Sequence, residues 1–578
     1  MSTETNRFTG ASVMRRVLQR FGVKTVFALA GASQTKLLDE CEKSGFRIVP
    51  GRHESATVGA ADGYARVTGK VGIAMVNIDQ GMSNAITGLQ QALEACSPVV
   101  VLVGREPDSW TQPELDFDHG VLGMVQPVTK WARNVQSAAR LGEYLEAACR
   151  RALSGRPGPV VLAFPKDFLS QLVDPGVDID TPVHMPSPPA PIPENVTRAV
   201  DLLETAERPL VIAGSGAFRS GAGIALRQLI TDFGIPVATN NLGRGLVDEN
   251  QDSAWGWPLA QFATKDADVV VWAGARMGKK FGYGLSPRFP ASTKMIQIDI
   301  EAEEIGRNRM VEVGINADCR LSLEAILSEL KHRKTTPKDP TWVKSSLQDR
   351  LNAIAETGHE QDYIHPMRLA REVNLRLPKN AIFVQDGASI LVRSWAVTTY
   401  SAEGGYMDTM PLGSMGMGTP LALGAVAGSK EVAAETGTPE RKVVLVTGDG
   451  AFGFYCAEID SAAQAGLPFL CVISNNGGWG NEIHTQPHQV GRTINAHFGD
   501  VQYNKVAEGL GAIGFRVETV EDLAPILDKA FNINEKPVVV DVIVKDEGGL
   551  NPLTSTLLYH DVEATRATHF ASENKPSN

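Results

Sequence analysis

The segment Val443-Val444-Leu445-Val446-Thr447-Gly448-Asp449-Gly450 is the strongest indication of the fold of this chain. Its apolar run is typical of a strand that is buried on both faces of a parallel sheet, and it leads into a Gly-Asp-Gly turn. A helix is predicted from about Ala457 to Ala465, and a second apolar run extends from Phe469 to Ile473. The order strand, turn, helix, strand indicates one unit of an α/β sheet.

Polar residues follow both strands of this unit. The second run ends at Ser474-Asn475-Asn476-Gly477-Gly478, which places Asn476 at 476 − 449 = 27 positions after Asp449. Open α/β sheets bind ligands at the carboxyl ends of their strands. A glycine turn lets the backbone approach a phosphate, and a carboxylate with an amide oxygen suits Mg²⁺. The two segments together predict a diphosphate held by magnesium.

Two further segments carry chemical signals. Arg52-His53-Glu54 precedes a helix of small residues from Ala56 to Arg66, which is predicted to pack closely and to be buried. A carboxylate at such a buried end requires a partner. The segment Pro411-Leu412-Gly413-Ser414-Met415-Gly416-Met417-Gly418 is, by itself, typical of a Met- and Gly-rich core turn.

Together, these segments resemble the signature of thiamine-diphosphate-dependent enzymes, in the superfamily of acetolactate synthase, oxalyl-CoA decarboxylase and 2-hydroxyacyl-CoA lyase. The resemblance covers roughly residues 8 to 545. It implies thiamine diphosphate and Mg²⁺ as cofactors, with Asp449, Asn476 and Gly478 as metal ligands. It also implies that Glu54 hydrogen-bonds N1′ of the aminopyrimidine ring and so promotes loss of the thiazolium C2 proton.

The same resemblance implies the other contacts of the cofactor. Met415 would prop the angle between its two rings, and the Gly413 carbonyl would accept from its 4′-amino group. In the resembling enzymes Glu54 comes from one subunit and Asp449 from its neighbour, so we expect a homodimer or a homotetramer. The predicted cofactor-binding residues are Gly387, Ala388, Ser389, Gly413, Met415, Gly448, Asp449, Gly450, Ala451, Asn476, Gly478, Trp479 and Gly480.

Length and breakers divide the chain. At 578 residues it is too long for a single core. A Pro-rich linker over residues 183–193 and a basic, breaker-rich segment over residues 331–340 interrupt the alternation of helices and strands. We predict an α/β protein of three doubly wound Rossmann-like domains with parallel sheets. The three are a pyrimidine-binding domain (1–185), a central nucleotide-binding-like domain (194–333) and a diphosphate-binding domain (360–548), and a C-terminal tail (549–578) follows them.

Composition narrows the class of protein. A net charge of −11 argues against partners such as nucleic acid or an anionic membrane surface. The six cysteines lack metal-type spacing and are predicted to be reduced thiols of a cytoplasmic protein. The N-terminus has no apolar signal core, and no stretch reaches membrane-spanning length.

The central domain carries a weaker pattern. Leu210 to Ala217 is a predicted strand that runs into a glycine turn, which every Rossmann-like domain needs. Two interpretations stay open, a retained site for ADP or the nucleotide of CoA (FAD is less expected) and a purely structural domain. The residues that the resemblance assigns to a nucleotide are Gly214, Arg276, Asp299 and Asp318.

Substrate residues follow from the resemblance with more departures. Besides Glu54, the predicted catalytic residues are Ser33, Gln112, Glu114 and Glu482. Pro113 stands where many relatives have glutamine, so the role of Gln112 is in doubt, and residues 78–84 depart from the commoner Gly-Pro-Gly-Ser-Asn. His484 and His488 are candidates for acid–base groups, or else loop histidines in solvent.

The resemblance predicts a lyase or decarboxylase of 2-hydroxyacyl-CoA or oxalyl-CoA substrates that releases formyl-CoA, because Asn-Asn-Gly-Gly before Gly480-Asn481-Glu482 is similar to oxalyl-CoA decarboxylase. The alternative is a carboligase, like acetolactate synthase or benzaldehyde lyase, acting on free 2-oxo acids or aldehydes. A non-catalytic homologue is a third class, which retention of Glu54, Asp449 and Asn476 disfavours. Residues 549–565 of the tail are predicted to form a lid, or a segment docked on the neighbouring subunit.

Overall fold

A computed structural model describes residues 7–77, 80–107, 109, 121–257, 259–359 and 362–545. Three six-stranded sheets follow one another along the chain, and every strand pair within them is parallel. A short antiparallel pair, β1 (Phe8–Thr9) and β8 (Leu172–Val173), ties the N-terminus to the end of the first sheet region. The predicted α/β class with three parallel-sheet domains is therefore confirmed.

The first sheet has the strand order β3-β2-β4-β5-β7-β6. Its strands are β2 (Thr25–Ala28), β3 (Arg47–Pro50), β4 (Gly72–Asn77), β5 (Val99–Arg105), β6 (Trp131–Asn134) and β7 (Val160–Pro165). Its α-helices span Gly10–Arg20, Thr35–Lys43, Glu54–Thr68, Gln80–Glu94, Val121–Val125 and Leu141–Leu153. Short 3₁₀ turns span Gln126–Val128, Ala138–Arg140 and Lys166–Ser170.

The central sheet has the order β11-β10-β9-β12-β13-β14. Its strands are β9 (Pro209–Ala213), β10 (Val237–Thr239), β11 (Ala254–Gly256), β12 (Val269–Ala273), β13 (Lys294–Asp299) and β14 (Val313–Asn316). Its α-helices span Pro193–Thr205, Ser215–Arg219, Gly223–Phe233, Cys319–Arg333 and Trp342–Glu356. Its 3₁₀ turns span Asn241–Gly243, Leu259–Phe262, Lys279–Gly284 and Ala302–Glu304.

The third sheet has the order β16-β15-β17-β18-β20-β19. Its strands are β15 (Ile382–Gln385), β16 (Tyr406–Asp408), β17 (Val443–Gly448), β18 (Leu470–Asn475), β19 (Ile513–Val517) and β20 (Val538–Ile543). Its helices span Pro366–Arg376, Ser389–Val397, Gly418–Thr436, Asp449–Tyr455, Glu458–Gln464, Gly480–Val490, Tyr503–Gly509 and Val520–Phe531.

Each sheet reverses its strand order beside its first long strand. The chain turns from one side to the other between β2 and β4, between β9 and β12, and between β15 and β17. Ligands of open α/β sheets bind in the crevice outside the carboxyl ends of strands at such a point. The three reversal points therefore mark where sites are to be sought.

The N-terminal and C-terminal domains pack through two helices of small residues. Thirteen of the fifteen residues of Glu54–Thr68 are buried, as the Ala- and Gly-rich pattern predicts. An added Cβ would lie 1.8 Å from the Ala60 carbonyl oxygen at Gly424, and 2.3 Å from the Leu421 carbonyl oxygen at Gly63. Glycine is needed at both positions because the two helix backbones touch there.

Two expected boundaries differ from the structure. The single helix predicted near Ala457 to Ala465 is preceded by another, Asp449–Tyr455, which begins inside the Gly-Asp-Gly segment. The helix Cys319–Arg333 also continues into the predicted second linker and stops at Lys334, whose φ is 57°. Basic residues in its last turn favour that continuation through the helix dipole.

Several predictions concern residues outside the described ranges. These include Gln112, Glu114 and the whole tail with its predicted lid. All six cysteines are free, and those that are fully buried are Cys41, Cys149, Cys319 and Cys471. Of the helices in the described part of the chain, none is long and apolar enough to cross a membrane.

Candidate active site

A cavity of about 490 Å³ opens at the carboxyl ends of β15 and β17, at the reversal point of the third sheet. All of the predicted cofactor-binding residues line it. They come from the segments after β15 (387–389), around 413–415, after β17 (448–451) and after β18 (476–480). Four stretches that are separate in sequence thus meet around one space.

Three oxygen-bearing groups converge at one end of this cavity. The amide terminus of Asn476 lies 3.1 Å from Asp449 Oδ1 and 2.8 Å from the Gly478 carbonyl oxygen. With its oxygen turned inward, Asn476 completes a set of three oxygens that face one another, which suits Mg²⁺. With its nitrogen inward it donates to both neighbours instead. The donor set therefore fits the magnesium ion that the sequence predicts.

Asp449 is a buried residue of the cavity wall. It begins the helix Asp449–Tyr455 and is only 3 % exposed. Burial raises the pKa of Asp449 to about 6. The hydrogen bond that its carboxylate accepts from the Gly478 amide (3.1 Å) acts in the opposite direction and lowers the pKa. A cation beside the carboxylate would offset this cost of burial.

Glycines leave room along the floor of the cavity. A Cβ added to Gly448 would meet no atom within 4 Å, so the backbone there faces open space. A Cβ on Gly450 would lie 2.6 Å from the ring of Trp479. A diphosphate fits such an exposed backbone at the start of a helix.

Asp386 holds the segment that contains Met415. Its carboxylate accepts hydrogen bonds from the amides of Gly416 and Gly418, both at 2.9 Å, and burial raises its pKa to about 6. Asp386 was not predicted from the sequence. The polar end Gln385-Asp386-Gly387 of a predicted strand was the available signal.

Glu54 lies at the other predicted centre, directly after β3. It is 7 % exposed and begins the helix Glu54–Thr68, which His53 caps by accepting from the Ser55 amide. Its Oε2 accepts a hydrogen bond from Asn84 Nδ2 at 3.0 Å. Within the described part of the chain, the wall of the 490 Å³ cavity does not include Glu54.

The backbone before Glu54 is hydrogen-bonded to the C-terminal domain. Glu458 Oε1 accepts from the amides of Arg52 and His53, both at 3.1 Å, and Arg52 pairs with Asp460 at 3.2 Å. Burial raises the pKa of Glu458. Glu458 was not predicted from the sequence, because no local pattern indicates a hydrogen bond between residues that lie 405 positions apart.

The other predicted catalytic residues are dispersed. Ser33 is buried at the reversal point of the first sheet, where its hydroxyl donates to Asn77 Oδ1 at 3.0 Å. Glu482 lines the cofactor cavity and accepts from the Thr485 hydroxyl at 3.3 Å. On the same helix His484 is half-buried and His488 is exposed.

A larger cleft of about 950 Å³ lies at the reversal point of the central sheet. All four predicted nucleotide residues line it, namely Gly214, Arg276, Asp299 and Asp318. Burial raises the pKa of Asp299 to about 6. Asp318 also caps the helix Cys319–Arg333, because its Oδ1 accepts from the Leu321 amide at 3.0 Å.

The cations of this cleft differ in their partners, and Arg276 pairs with Glu94 at 2.9 Å and with Glu304 at 3.7 Å. Arg219 donates to the Ser97 hydroxyl at 2.9 Å, while its buried Nε has no partner among the described residues. Burial lowers the pKa of Arg219 to about 10. Arg156 hydrogen-bonds Cys96 Sγ at 3.1 Å and lies 3.4 Å from Glu304. An anionic group such as a phosphate would satisfy these donors.

The cleft and the cofactor cavity adjoin. Trp395 and Met410 line both of them. Lys280, whose side chain is 19 % exposed, places Nζ 4.6 Å from the Trp395 ring centroid and 3.9 Å from Asp408. Burial lowers the pKa of Lys280 to about 8. A cation of the cleft therefore lies beside Trp395, one of the two residues that line both spaces.

Known protein families and relatives match this chain over most of its length. Family models of thiamine pyrophosphate enzymes match it in three consecutive parts: the N-terminal TPP binding domain over residues 8–128, the central domain over 196–326 and the C-terminal TPP binding domain over 391–542. A probable acetolactate synthase of Mycobacterium bovis is 30 % identical over 561 residues, which cover 94 % of this chain and 97 % of that protein.

Other relatives extend the range of activities. A probable acetolactate synthase large subunit of Methanococcus aeolicus is 28 % identical over 94 % of this chain and 93 % of its own length. The oxalyl-CoA decarboxylase of Escherichia coli is 28 % identical over 95 % of this chain and 97 % of its own length. Matches to all three domain models, and to relatives over nearly their full length, show that this chain belongs to the thiamine pyrophosphate enzymes, as its motifs predict.

Proposed function

We propose that this protein is a thiamine-diphosphate-dependent carbon–carbon lyase or decarboxylase that cleaves 2-hydroxyacyl-CoA or oxalyl-CoA type substrates and releases formyl-CoA. The observation that carries the proposal is the junction of the two cavities at Trp395 and Met410. A CoA ester has a nucleotide at one end and a reactive acyl group at the other. The 950 Å³ cleft suits the first, and the adjoining cavity suits the second.

The residues of the cavity divide the work of holding the cofactors. Asp449, Asn476 and Gly478 would hold Mg²⁺ through oxygen atoms, and the exposed backbone at Gly448 would receive the diphosphate. Asp386 orients the Met415 segment, whose predicted role is to fix the angle between the cofactor rings. When bound, thiamine diphosphate supplies the nucleophilic carbon and the electron sink of the reaction.

Glu54 is the proposed activating residue, since a buried carboxylate can share a proton with a ring nitrogen. It lies outside the wall of its own chain's cofactor cavity. This supports a homodimer, or a homotetramer built from dimers, in which Glu54 of each subunit completes the neighbour's site. Glu482 at the cavity and Ser33, which hydrogen-bonds Asn77, are proposed to face the substrate.

The central cleft is proposed to bind an adenine nucleotide, either ADP or the nucleotide part of CoA, with FAD less expected. Arg219 offers a buried donor without a partner among the described residues, and Arg156 lies beside it in the cleft wall. Asp299 lines the same cleft and would accept hydrogen bonds from ribose hydroxyls. These features support an anionic ligand that carries a sugar.

A carboligase that acts on free 2-oxo acids is the second candidate. Two observations favour it. Seven relatives at 27–30 % identity carry the name acetolactate synthase. In addition, the half-buried ammonium of Lys280, which lies in the cleft wall beside Trp395, suits the carboxylate of a small acid.

A substrate panel separates the two candidates. Purified protein with thiamine diphosphate and Mg²⁺ is incubated with oxalyl-CoA, 2-hydroxyacyl-CoAs, pyruvate and pairs of 2-oxo acids or aldehydes. We expect formyl-CoA from the thioesters, with the Glu54→Gln variant as the inactive control. Turnover of pyruvate to a carboligation product with no release of formyl-CoA would establish the second candidate instead.

A further inference from the structure

We propose that Asn84 is a positioning residue for Glu54, fixing one carboxylate oxygen so that the other is presented to the bound cofactor. This inference rests on the proposed function, in which Glu54 activates thiamine diphosphate. Neither the motifs nor the comparisons assign a role to Asn84.

The contact is direct and local. Asn84 Nδ2 donates to Glu54 Oε2 at 3.0 Å, and among the hydrogen bonds between described residues it is the one that reaches the Glu54 carboxylate. Glu54 Oε1 accepts no hydrogen bond among the described residues, and a Cβ added to Gly81 would lie 3.4 Å from it. One oxygen is therefore anchored, and the other is left for an incoming ring nitrogen.

The support for Asn84 is rigid. Its backbone carbonyl accepts from the Ser55 hydroxyl, and the same hydroxyl accepts from the Gly88 amide at 3.2 Å. Ser55 immediately follows Glu54, so these bonds tie the helix Gln80–Glu94 to the first turn of Glu54–Thr68. Side chains held by such a second layer of contacts keep a reacting group within the geometry that it needs.

The chemistry of an amide suits this task. Asn84 donates without carrying charge, so it holds the carboxylate of Glu54 without forming a competing ion pair. A carboxylate in its place would lie at hydrogen-bond distance from a second carboxylate. Two such groups cannot both ionise freely, so one of them keeps its proton to a higher pH.

The test uses full-length protein loaded with thiamine diphosphate and Mg²⁺. The rate of C2 proton exchange with D₂O is followed by NMR as a function of pH for wild type, Asn84→Ala, Asn84→Asp and Ser83→Ala. Ser83 is the matched control, because it precedes Asn84 on the same helix, is exposed as Asn84 is, and its hydroxyl donates only to the Gln80 carbonyl among the described residues. Cofactor affinity and thermal unfolding are measured on the same samples.

We expect Asn84→Ala to slow exchange roughly tenfold to a hundredfold, as loss of a hydrogen bond to a charged group does. Alanine favours helix, so the fold and the cofactor affinity should match wild type. Asn84→Asp should move the midpoint of the pH profile upward, an effect that a merely structural side chain would not produce. Ser83→Ala should behave as wild type.

Other outcomes overturn the proposal. An unchanged midpoint in Asn84→Asp, which is isosteric and serves even if the alanine variant fails to fold, contradicts it. So does wild-type exchange in Asn84→Ala. A wild-type protein that binds no thiamine diphosphate would refute the proposed function itself, and the role of Asn84 would fall with it.

Discussion

Buried carboxylates set the chemistry of this molecule at the residue scale. Asp386, Asp449 and Asp299 each have a pKa raised to about 6 by burial. Each has a different function to serve: the first holds backbone amides, the second faces two other oxygens, and the third lines the cleft. Burial of a carboxylate is costly unless a partner compensates.

For Asp449 the missing partner is a cation. We predict that Asp449→Ala loses bound thiamine diphosphate and Mg²⁺ on dialysis, because one hard oxygen ligand is removed. The fold should persist, since the change removes a charge that is costly to bury. Cofactor content and circular dichroism are the measurements, and Asp500→Ala, at an exposed carboxylate, is the control. Retention of cofactor in Asp449→Ala would argue against this metal site.

For Asp299 the expected partner is a ribose. Its folded pKa of about 6 lies above the usual value of 3.8, so the carboxylate is ionised above pH 6 and neutral below it. If the ionised form accepts ribose hydroxyls, ADP affinity should fall roughly tenfold between pH 7 and pH 5. Calorimetric titration measures this. The Asp299→Asn variant should show a weaker but flatter profile, and an equally steep profile would exclude Asp299.

At the element scale, close helix packing links the sites. Gly424→Ala places a methyl group 1.8 Å from the Ala60 carbonyl, so we expect a loss of about 1–3 kcal/mol in stability. Thermal or urea unfolding measures it. Gly509→Ala, whose Cβ meets no atom within 4 Å at a helix end, is the control and should be neutral or slightly stabilising. Equal stability of the two variants would show that the helices do not touch there.

Two neighbouring elements of the C-terminal domain show how far secondary structure can be predicted from the sequence. Strand β17 is predictable because Val443 to Val446 is a continuous apolar run, and all four residues are buried. The helix Asp449–Tyr455 was not predicted, because its glycines are poor helix formers. Tertiary packing overrides that low intrinsic propensity.

Site residues divide along similar lines. Motif residues such as Asp449 and Asn476 were predicted from their order along the chain and come together around one cavity. Asp386 and Glu458 were missed because they act on backbone amides 30 and 405 positions away. Such contacts leave no local pattern, since any residue can supply an amide.

At the scale of the whole molecule, a proposed shared site has a testable consequence. Glu54→Gln and Asp449→Ala homodimers should each be nearly inactive. After subunit exchange, a mixed dimer would contain one site with both changes and one site with neither. Activity should therefore return to about a quarter of the wild-type value in an equal mixture. Proven exchange without recovered activity would mean that both residues serve the site of their own chain.

Glu54 is proposed to activate thiamine diphosphate that is held by Asp449, Asn476 and Gly478. The most direct measurement is C2 proton exchange on protein-bound cofactor, followed by NMR in wild type and in Glu54→Gln. We predict that the variant retains the cofactor and exchanges about 10²–10⁴-fold more slowly, because an amide cannot share the proton of a ring nitrogen as a carboxylate does. C2 proton exchange in Glu54→Gln as fast as in the wild type would contradict the activating role of Glu54.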